Sequence, residues 1–143
     1  MRVLICDDQV VVTDGLEMIL GSDPEIEVVG LAHDGAEAVE KIPQTNPDLV
    51  LMDLKMPGVN GIQATREITK NHPEIKVLVL TTFGDDEWVF DAIRSGAAGY
   101  LLKGTPRKEL IEAVKGTLRG DTHVDPEVAG KLYKELRTRW AVQ

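Results

Sequence analysis

Five short apolar runs recur along the chain, at residues 3–6, 28–31, 49–52, 77–80 and 100–102. Three of them show no polar alternation, the pattern of strands covered on both faces. A length of about four residues separates such runs from buried helix. Between them the apolar spacing switches to the helical period. Val12, Leu16, Ile19 and Leu20 lie at i, i+4, i+7 and i+8 and predict a first helix that stops at Gly21. Asp34, with Glu37 three residues later, predicts a cap for a second helix ending near Pro43. A third helix is predicted from Asn60 to just before His72-Pro73, and a fourth carries Val89, Ala92 and Ile93 up to Gly96. Thr105-Pro106 reads as a cap followed by a first-turn proline, opening a fifth helix that buries Leu110, Ala113, Val114 and Leu118. Strand and helix alternating in this way predict a doubly wound α/β domain with a parallel sheet.

The sheet pattern ends after Gly120. Asp125-Pro126-Glu127 predicts one more helix start, and Val128, Leu132, Leu136 and Trp140 then mark one face, with Ala129 and Tyr133 beside them. Two readings stay open for this segment: a helix docked on its own domain, or a linker helix whose apolar side meets a partner or a following domain.

Composition narrows the class. A chain of 143 residues with 43% hydrophobic and 28% charged residues suits one globular domain plus a short extension. No apolar run approaches the roughly 20 residues of a membrane span. The start, Met1-Arg2-Val3-Leu4-Ile5, runs straight into Asp7-Asp8 and lacks the pattern of a signal peptide, so the cytoplasm is the expected compartment and no membrane is expected as a partner. Cys6 is the single cysteine, which excludes an intrachain disulfide. The net charge of −8 argues against strong nucleic-acid binding by this chain alone, although solubility accounts for it equally well. From residue 121 onward four acids balance four bases, so the excess negative charge lies before that point.

In open α/β sheets ligands bind at the carboxyl ends of strands. The first strand delivers Asp7 and Asp8 there, the third Asp53, the fourth Thr81 and Thr82, and the fifth Lys103. Carboxylates brought together raise one another's pKa values, and a hard divalent cation relieves the repulsion. Magnesium suits such a set because it takes few protein carboxylates, keeps waters and bridges to phosphate oxygens. A metal ion and an ammonium offset the charge of an incoming phosphoryl group, most of what phosphoryl transfer demands. Any one of these residues is more simply an ordinary cap or turn group; the joint pattern at four strand ends is not. His33, His72 and His123 lack metal-ligand spacing and read as loop or cap residues, Cys6 as a buried strand residue. Trp88 lies off the face of Val89, Ala92 and Ile93 and reads as partly buried or as part of a partner surface.

Over residues 1 to 120 the sequence resembles the receiver family of response regulators, in Asp7-Asp8, Asp53 with Met56-Pro57-Gly58, Thr81, and Gly99-Tyr100-Leu101-Leu102-Lys103. The resemblance implies a flavodoxin-like five-stranded sheet in the order 2-1-3-4-5 with helices on both faces, a strand order taken from the family. It implies Asp53 as acceptor of a phosphoryl group from a sensor histidine kinase. Asp8, Asp53 and the backbone carbonyl of Lys55 are then the Mg2+ ligands, with Asp7 acting through a metal-bound water. Lys103 is implied as counter-charge to the phosphate, Thr81, with Thr82 beside it, as the switch hydroxyl, and Tyr100 as the aromatic whose rotamer follows Thr81. One departure is Gly104 after Lys103, where many members have proline.

The stretches 104–110 and 125–128 resemble the NarL/FixJ (LuxR-type) subfamily, whose members usually carry a C-terminal helix-turn-helix domain. Residues 1–120 are therefore expected to form the receiver. Residues 121–143 are expected to be a linker or C-terminal helix leading to a DNA-binding domain absent from this chain, which would be a piece of a longer transcription regulator; a natural single-domain protein is the open alternative. DNA is expected as a partner only through that absent domain, and a homodimer formed on phosphorylation is the other expected partner. No enzyme activity is expected beyond self-phosphorylation and autodephosphorylation at Asp53. Two rivals remain. Haloacid-dehalogenase-type phosphatases place the nucleophile on the first strand with an aspartate two residues on, whereas Lys55 stands two beyond Asp53, and Gln9 and Val10 follow Asp7-Asp8. A phosphorylation-independent pseudo-receiver would not need the complete Asp, Thr and Lys set.

Overall fold

The apolar runs form the inner layer of a three-layer α/β structure. The structure is a computed structural model that describes residues 1–56, 58–82 and 86–140, with the side chains of Asp86, Glu87 and Trp140 outside the description. Pro57 of the motif after Asp53 therefore lies outside the described residues, as does the Trp140 end of the last apolar face. The strands β1 (Arg2–Cys6), β2 (Glu27–Ala32), β3 (Leu49–Met52), β4 (Lys76–Thr81) and β5 (Gly99–Leu102) make one parallel sheet in the order β2-β1-β3-β4-β5. The helices are α1 (Val10–Gly21), α2 (Gly35–Thr45), α3 (Gly61–Asn71), α4 (Asp86–Arg94), α5 (Arg107–Leu118) and α6 (Pro126–Trp140).

Because successive strand residues point to opposite faces, each strand feeds two cores. Val3, Ile5, Leu49, Leu51, Leu78 and Leu80 pack with Leu20 of α1 and with Leu110 and Val114 of α5. Leu4, Cys6, Val50, Met52 and Val77 pack with Ile42 of α2 and with Ala64 and Ile68 of α3. A third cluster joins Val79 and Tyr100 to Val89 and Ala92 of α4 and Val128 of α6. Leu49, Val50, Leu51 and Met52 are each at most 1% exposed, which is why this run carries no polar alternation.

Three expectations need correction. The second helix runs past Pro43 to Thr45, because a proline this near the end removes one backbone donor without blocking the last turn; Asn46 in the left-handed region (φ 47°) ends it. Thr105 does not cap the fifth helix. Its hydroxyl donates to the Leu102 carbonyl at 2.6 Å, and Pro106 occupies the cap position. Leu118 is half-buried rather than buried. The last helix docks on its own domain through part of its apolar face: Val128 is buried and Leu132 packs against the third cluster, while Tyr133 and Leu136 are 66% and 44% exposed. Trp88 is half-buried against that same cluster. Among the described residues no helix is long and apolar enough to cross a membrane.

Gly116 sits inside α5, where glycine costs about 1 kcal/mol relative to alanine. Its reason is tertiary: a Cβ there would lie 2.2 Å from Nε2 of His123, whose ring lies over the helix.

Candidate functional site

The strand order sets the site. β1 and β3 are neighbours at the centre, β4 and β5 follow, and the residues just beyond their carboxyl ends share one edge of the sheet. Each is still pinned by its backbone to the neighbouring strand. The Asp7 N–H donates to the Ala32 carbonyl at 3.0 Å, that of Asp53 to Cys6 at 2.9 Å, and that of Lys103 to Thr81 at 2.8 Å. The side chains thus leave an ordered ladder rather than a free loop, which is how a site is held ready before its ligand arrives.

Ligand oxygens of Asp7, Asp8 and Asp53 all lie within 4.8 Å of one another, with Asp7 and Asp53 buried and Asp8 exposed. The Lys103 ammonium is 2.6 Å from Oδ2 of Asp7 and 3.6 Å from Oδ2 of Asp53. The Thr81 hydroxyl donates to Oδ1 of Asp53 at 2.9 Å, and the Gln9 N–H donates to Oδ1 of Asp7 at 2.9 Å. Burial first, and the charge of Asp7 second, hold the Asp53 carboxyl above its ordinary value; Lys103, the Thr81 hydroxyl and the Lys55 N–H pull the other way. Burial alone would lower the Lys103 ammonium, but its contact with Asp7 and the charges of Asp53 and Asp7 outweigh that and hold it above the ordinary lysine value.

These residues fit a hard divalent cation. Three carboxylates face one ammonium, the donors are all oxygen, and the charge of Asp7 adds to burial in holding the Asp53 carboxyl up. Asp8, the exposed member, is the side from which a hydrated ion has access.

The structure brings Asp7, Asp8, Asp53, Thr81 and Lys103 together. The Lys55 side chain is exposed, while its backbone N–H bonds the Asp53 carboxylate. Thr82 is exposed at the end of β4. Tyr100 is fully buried in the third cluster, on the strand that delivers Lys103. Cys6 lies beneath the carboxylates with Sγ 3.3 Å from the Asp34 carbonyl. Burial, then the charges of Asp34, Asp53, Asp7 and Glu37, push its thiol far above the ordinary value, so it stays protonated and inert.

Sequence reasoning missed two glycines that seat the loop after Asp53. A Cβ on Gly61 would lie 2.0 Å from the Asp53 carbonyl oxygen, and one on Gly35 would lie 2.4 Å from that of Val59. Their N–H groups hold the same loop, Gly61 to Leu54 at 2.9 Å and Gly35 to Val59 at 3.0 Å. The available signal was a glycine directly after each capping residue, Asn60 and Asp34, where a helix gains nothing from it.

Residues 3–115 match the family described as the response regulator receiver domain. The chain is 44% identical over 137 residues to the oxygen regulatory protein NreC of Staphylococcus carnosus, covering 95% of this chain and 63% of that protein. It is 42% identical to the transcriptional regulatory protein DegU of Brevibacillus brevis, covering 96% of this chain and 58% of that one. It thus spans about three-fifths of the length of these curated relatives. A two-component response regulator of the LuxR family from Aurantimonas superimposes with a TM-score of 0.87 at 32% identity, covering 94% of this chain and 96% of that one.

Proposed function

Because the chain belongs to the response regulator receiver domain family, we propose that Asp53 accepts a phosphoryl group from a sensor histidine kinase in a magnesium-dependent reaction. The observation that carries this is a buried carboxylate at the open edge of the sheet, bonded by Thr81 at 2.9 Å and faced by Lys103 at 3.6 Å, with Asp7 and Asp8 beside it. The family is one of signalling proteins rather than classical enzymes. The only chemistry assigned to this chain is formation and loss of the phosphate on its own Asp53.

In this reading Asp8, Asp53 and the backbone carbonyl of Lys55 would hold Mg2+, with Asp7 acting through a metal-bound water. The ion, when bound, offsets the charge of the carboxylates and of the incoming phosphoryl group. An Asp53 oxygen forms the new bond to phosphorus as the nitrogen–phosphorus bond of the donor phosphohistidine breaks. Lys103 supplies the positive charge on the other side. Thr81, already donating to Asp53, turns its hydroxyl to a phosphoryl oxygen, with exposed Thr82 at the solvent side. Buried Tyr100 then shifts into the space that Thr81 leaves, and the surface of α4 and β5 changes shape.

The wider role is the control of transcription from the cytoplasm. Residues 1–120 act as receiver and residues 121–143 link it to a helix-turn-helix domain, with homodimerisation following phosphorylation. What supports the transcriptional role is the name of the DegU relative.

Incubation with a small-molecule phosphodonor and magnesium, followed by intact mass, tests the reading. A stable adduct of one phosphoryl group is expected. Donor turnover without an adduct would indicate a phosphatase, and an unchanged mass and donor a pseudo-receiver. Asp8→Ala is expected to weaken magnesium binding by on the order of tenfold or more, since magnesium relies on few carboxylates, and to slow phosphorylation in parallel; overlapping magnesium titrations of variant and parent would remove Asp8 as a ligand. Thr81→Ala is expected to accept phosphate while Trp88 fluorescence responds only weakly to beryllofluoride. A parent-like response would show that Thr81 does not couple site to surface.

A further inference from the structure

The edge of the sheet beside β5 is not open. Residues 123–125 lie along it in the parallel sense, with Val124 bridged to Tyr100. The Tyr100 N–H donates to the His123 carbonyl at 3.0 Å, and the Asp125 N–H donates to the Tyr100 carbonyl at 2.8 Å. Both backbone groups of Tyr100 are therefore satisfied by the tail. Two glycines make room for it. A Cβ on Gly99 would lie 2.5 Å from the His123 carbonyl oxygen, and one on Gly116 would lie 2.2 Å from the His123 ring.

Asp125 joins this clamp to α6. While its N–H holds Tyr100, its carboxylate accepts from the Glu127 N–H at 2.9 Å and its carbonyl from the Ala129 N–H at 2.8 Å. Val128 of α6 is buried in the same cluster as the Tyr100 side chain. At the far end, the Arg139 guanidinium lies 4.2 Å from the centre of the Phe90 ring on α4. The helix is thus strung between Tyr100 of β5, the strand that pairs with β4 and its Thr81, and α4, whose Val89 and Ala92 share a cluster with Val79 of β4.

We propose that residues 123–140 are a latch on the switch strand: residues 123–125 clamp the Tyr100 backbone through one parallel bridge, α6 hangs from that clamp, and phosphorylation at Asp53 weakens the clamp and releases α6. This rests on the reading of Asp53 as phosphoacceptor and adds the regulation of that site by the tail. Coupling of this kind is reciprocal. Whatever loosens the clamp raises the affinity for a phosphoryl group, by at most the factor through which phosphorylation loosens the clamp.

Gly116→Ala gives a direct test, because alanine favours α5 while its methyl group displaces the His123 ring. Amide exchange resolved residue by residue is followed in residues 1–143, with and without beryllofluoride and magnesium. In the parent, beryllofluoride is expected to slow exchange at Asp53 to Lys55 and to speed it on the order of tenfold at the Tyr100 and Asp125 amides and along α6, within the usual range of coupling between sites. Gly116→Ala is expected to speed the same clamp amides without beryllofluoride and to bind beryllofluoride more tightly, by up to a similar factor. The double variant Gly116→Ala with His123→Ala, which removes the ring, is expected to return towards the parent. A response at Asp53 to Lys55 with unchanged clamp amides overturns the latch and leaves the phosphoacceptor reading standing. No response at Asp53 to Lys55 overturns that reading, and the coupling with it. Clamp amides in Gly116→Ala that match the parent, or a double variant that stays as loose as the single one, overturn the seating of the latch on Gly116.

Discussion

An Asp53→Asn variant is expected to carry no phosphoryl group under conditions that load the parent fully, while keeping the fold. Asparagine retains an oxygen that can accept from Thr81, which lies 2.9 Å from Oδ1, so β3 and β4 lose no contact there. It removes the nucleophile and one carboxylate of the cluster that includes Asp7 and Asp8. A second consequence follows from the direction of the Asp53 shift. Its carboxyl is raised in the folded chain, by burial first and by Asp7 second. The folded state therefore holds that proton more tightly than the unfolded one, and the associated stability is present at low pH and lost as pH rises through the raised value. Without metal, the asparagine variant should accordingly gain on the parent in melting temperature as pH rises through the carboxylate range. With magnesium the order should shrink or reverse, because a ligand at a hundredfold excess over its Kd stabilises by about 2.7 kcal/mol, and the variant has lost that ligand site. Undiminished labelling, or an identical response of both proteins to magnesium, would contradict this.

The second large effect is expected at Gly61, a residue that takes no part in the chemistry. A methyl group there meets the Asp53 carbonyl oxygen at 2.0 Å and the Leu54 Cα at 2.6 Å, all backbone atoms that no rotamer change can withdraw. Either the end of β3 moves or the first turn of α3 does. Overpacking of this kind costs about 1–3 kcal/mol, and a displacement near 1 Å of a reacting group costs about a hundredfold in rate. Gly61→Ala should thus lower the urea midpoint and slow phosphorylation by that order in the fraction that remains folded. Gly15→Ala is the contrast. A Cβ there meets nothing within 4 Å, and its place inside α1 means that alanine should stabilise by roughly 0.5–1 kcal/mol. Urea unfolding of the two variants beside the parent checks both signs.

These two residues also show where the sequence was legible. The strands could be read because a parallel strand covered on both faces leaves an unbroken apolar run, as at residues 49–52. Asp7, Asp53, Thr81 and Lys103 could be placed at one edge because each directly follows or ends such a run; their order across the sheet came from the family resemblance rather than from the residues. Gly61 and Gly35 left only the faint signal of a glycine after a capping residue, and Gly116 left none, because the reason in each case is the close approach of a segment distant in sequence or folded back on itself, a tertiary fact that local spacing does not carry. Thr105 misled for the opposite reason: its hydroxyl had a competing partner in the Leu102 carbonyl, and a local cap pattern cannot say which wins. The tail was legible as a helix but not as an edge strand, since residues 123–125 have too few apolar positions to announce one and pair through backbone alone.

Asp53 is proposed to receive the phosphoryl group with the help of a divalent ion held by its neighbours. The measurement that tests it most directly is reductive trapping of the parent chain after treatment with a small phosphodonor, with and without magnesium. Borohydride converts an aspartyl phosphate to homoserine, which peptide mass mapping then locates. Conversion is expected at Asp53 alone, and only when magnesium is present. Homoserine at Asp7 or Asp8 instead, or equal conversion in the presence of a chelator, would contradict the account.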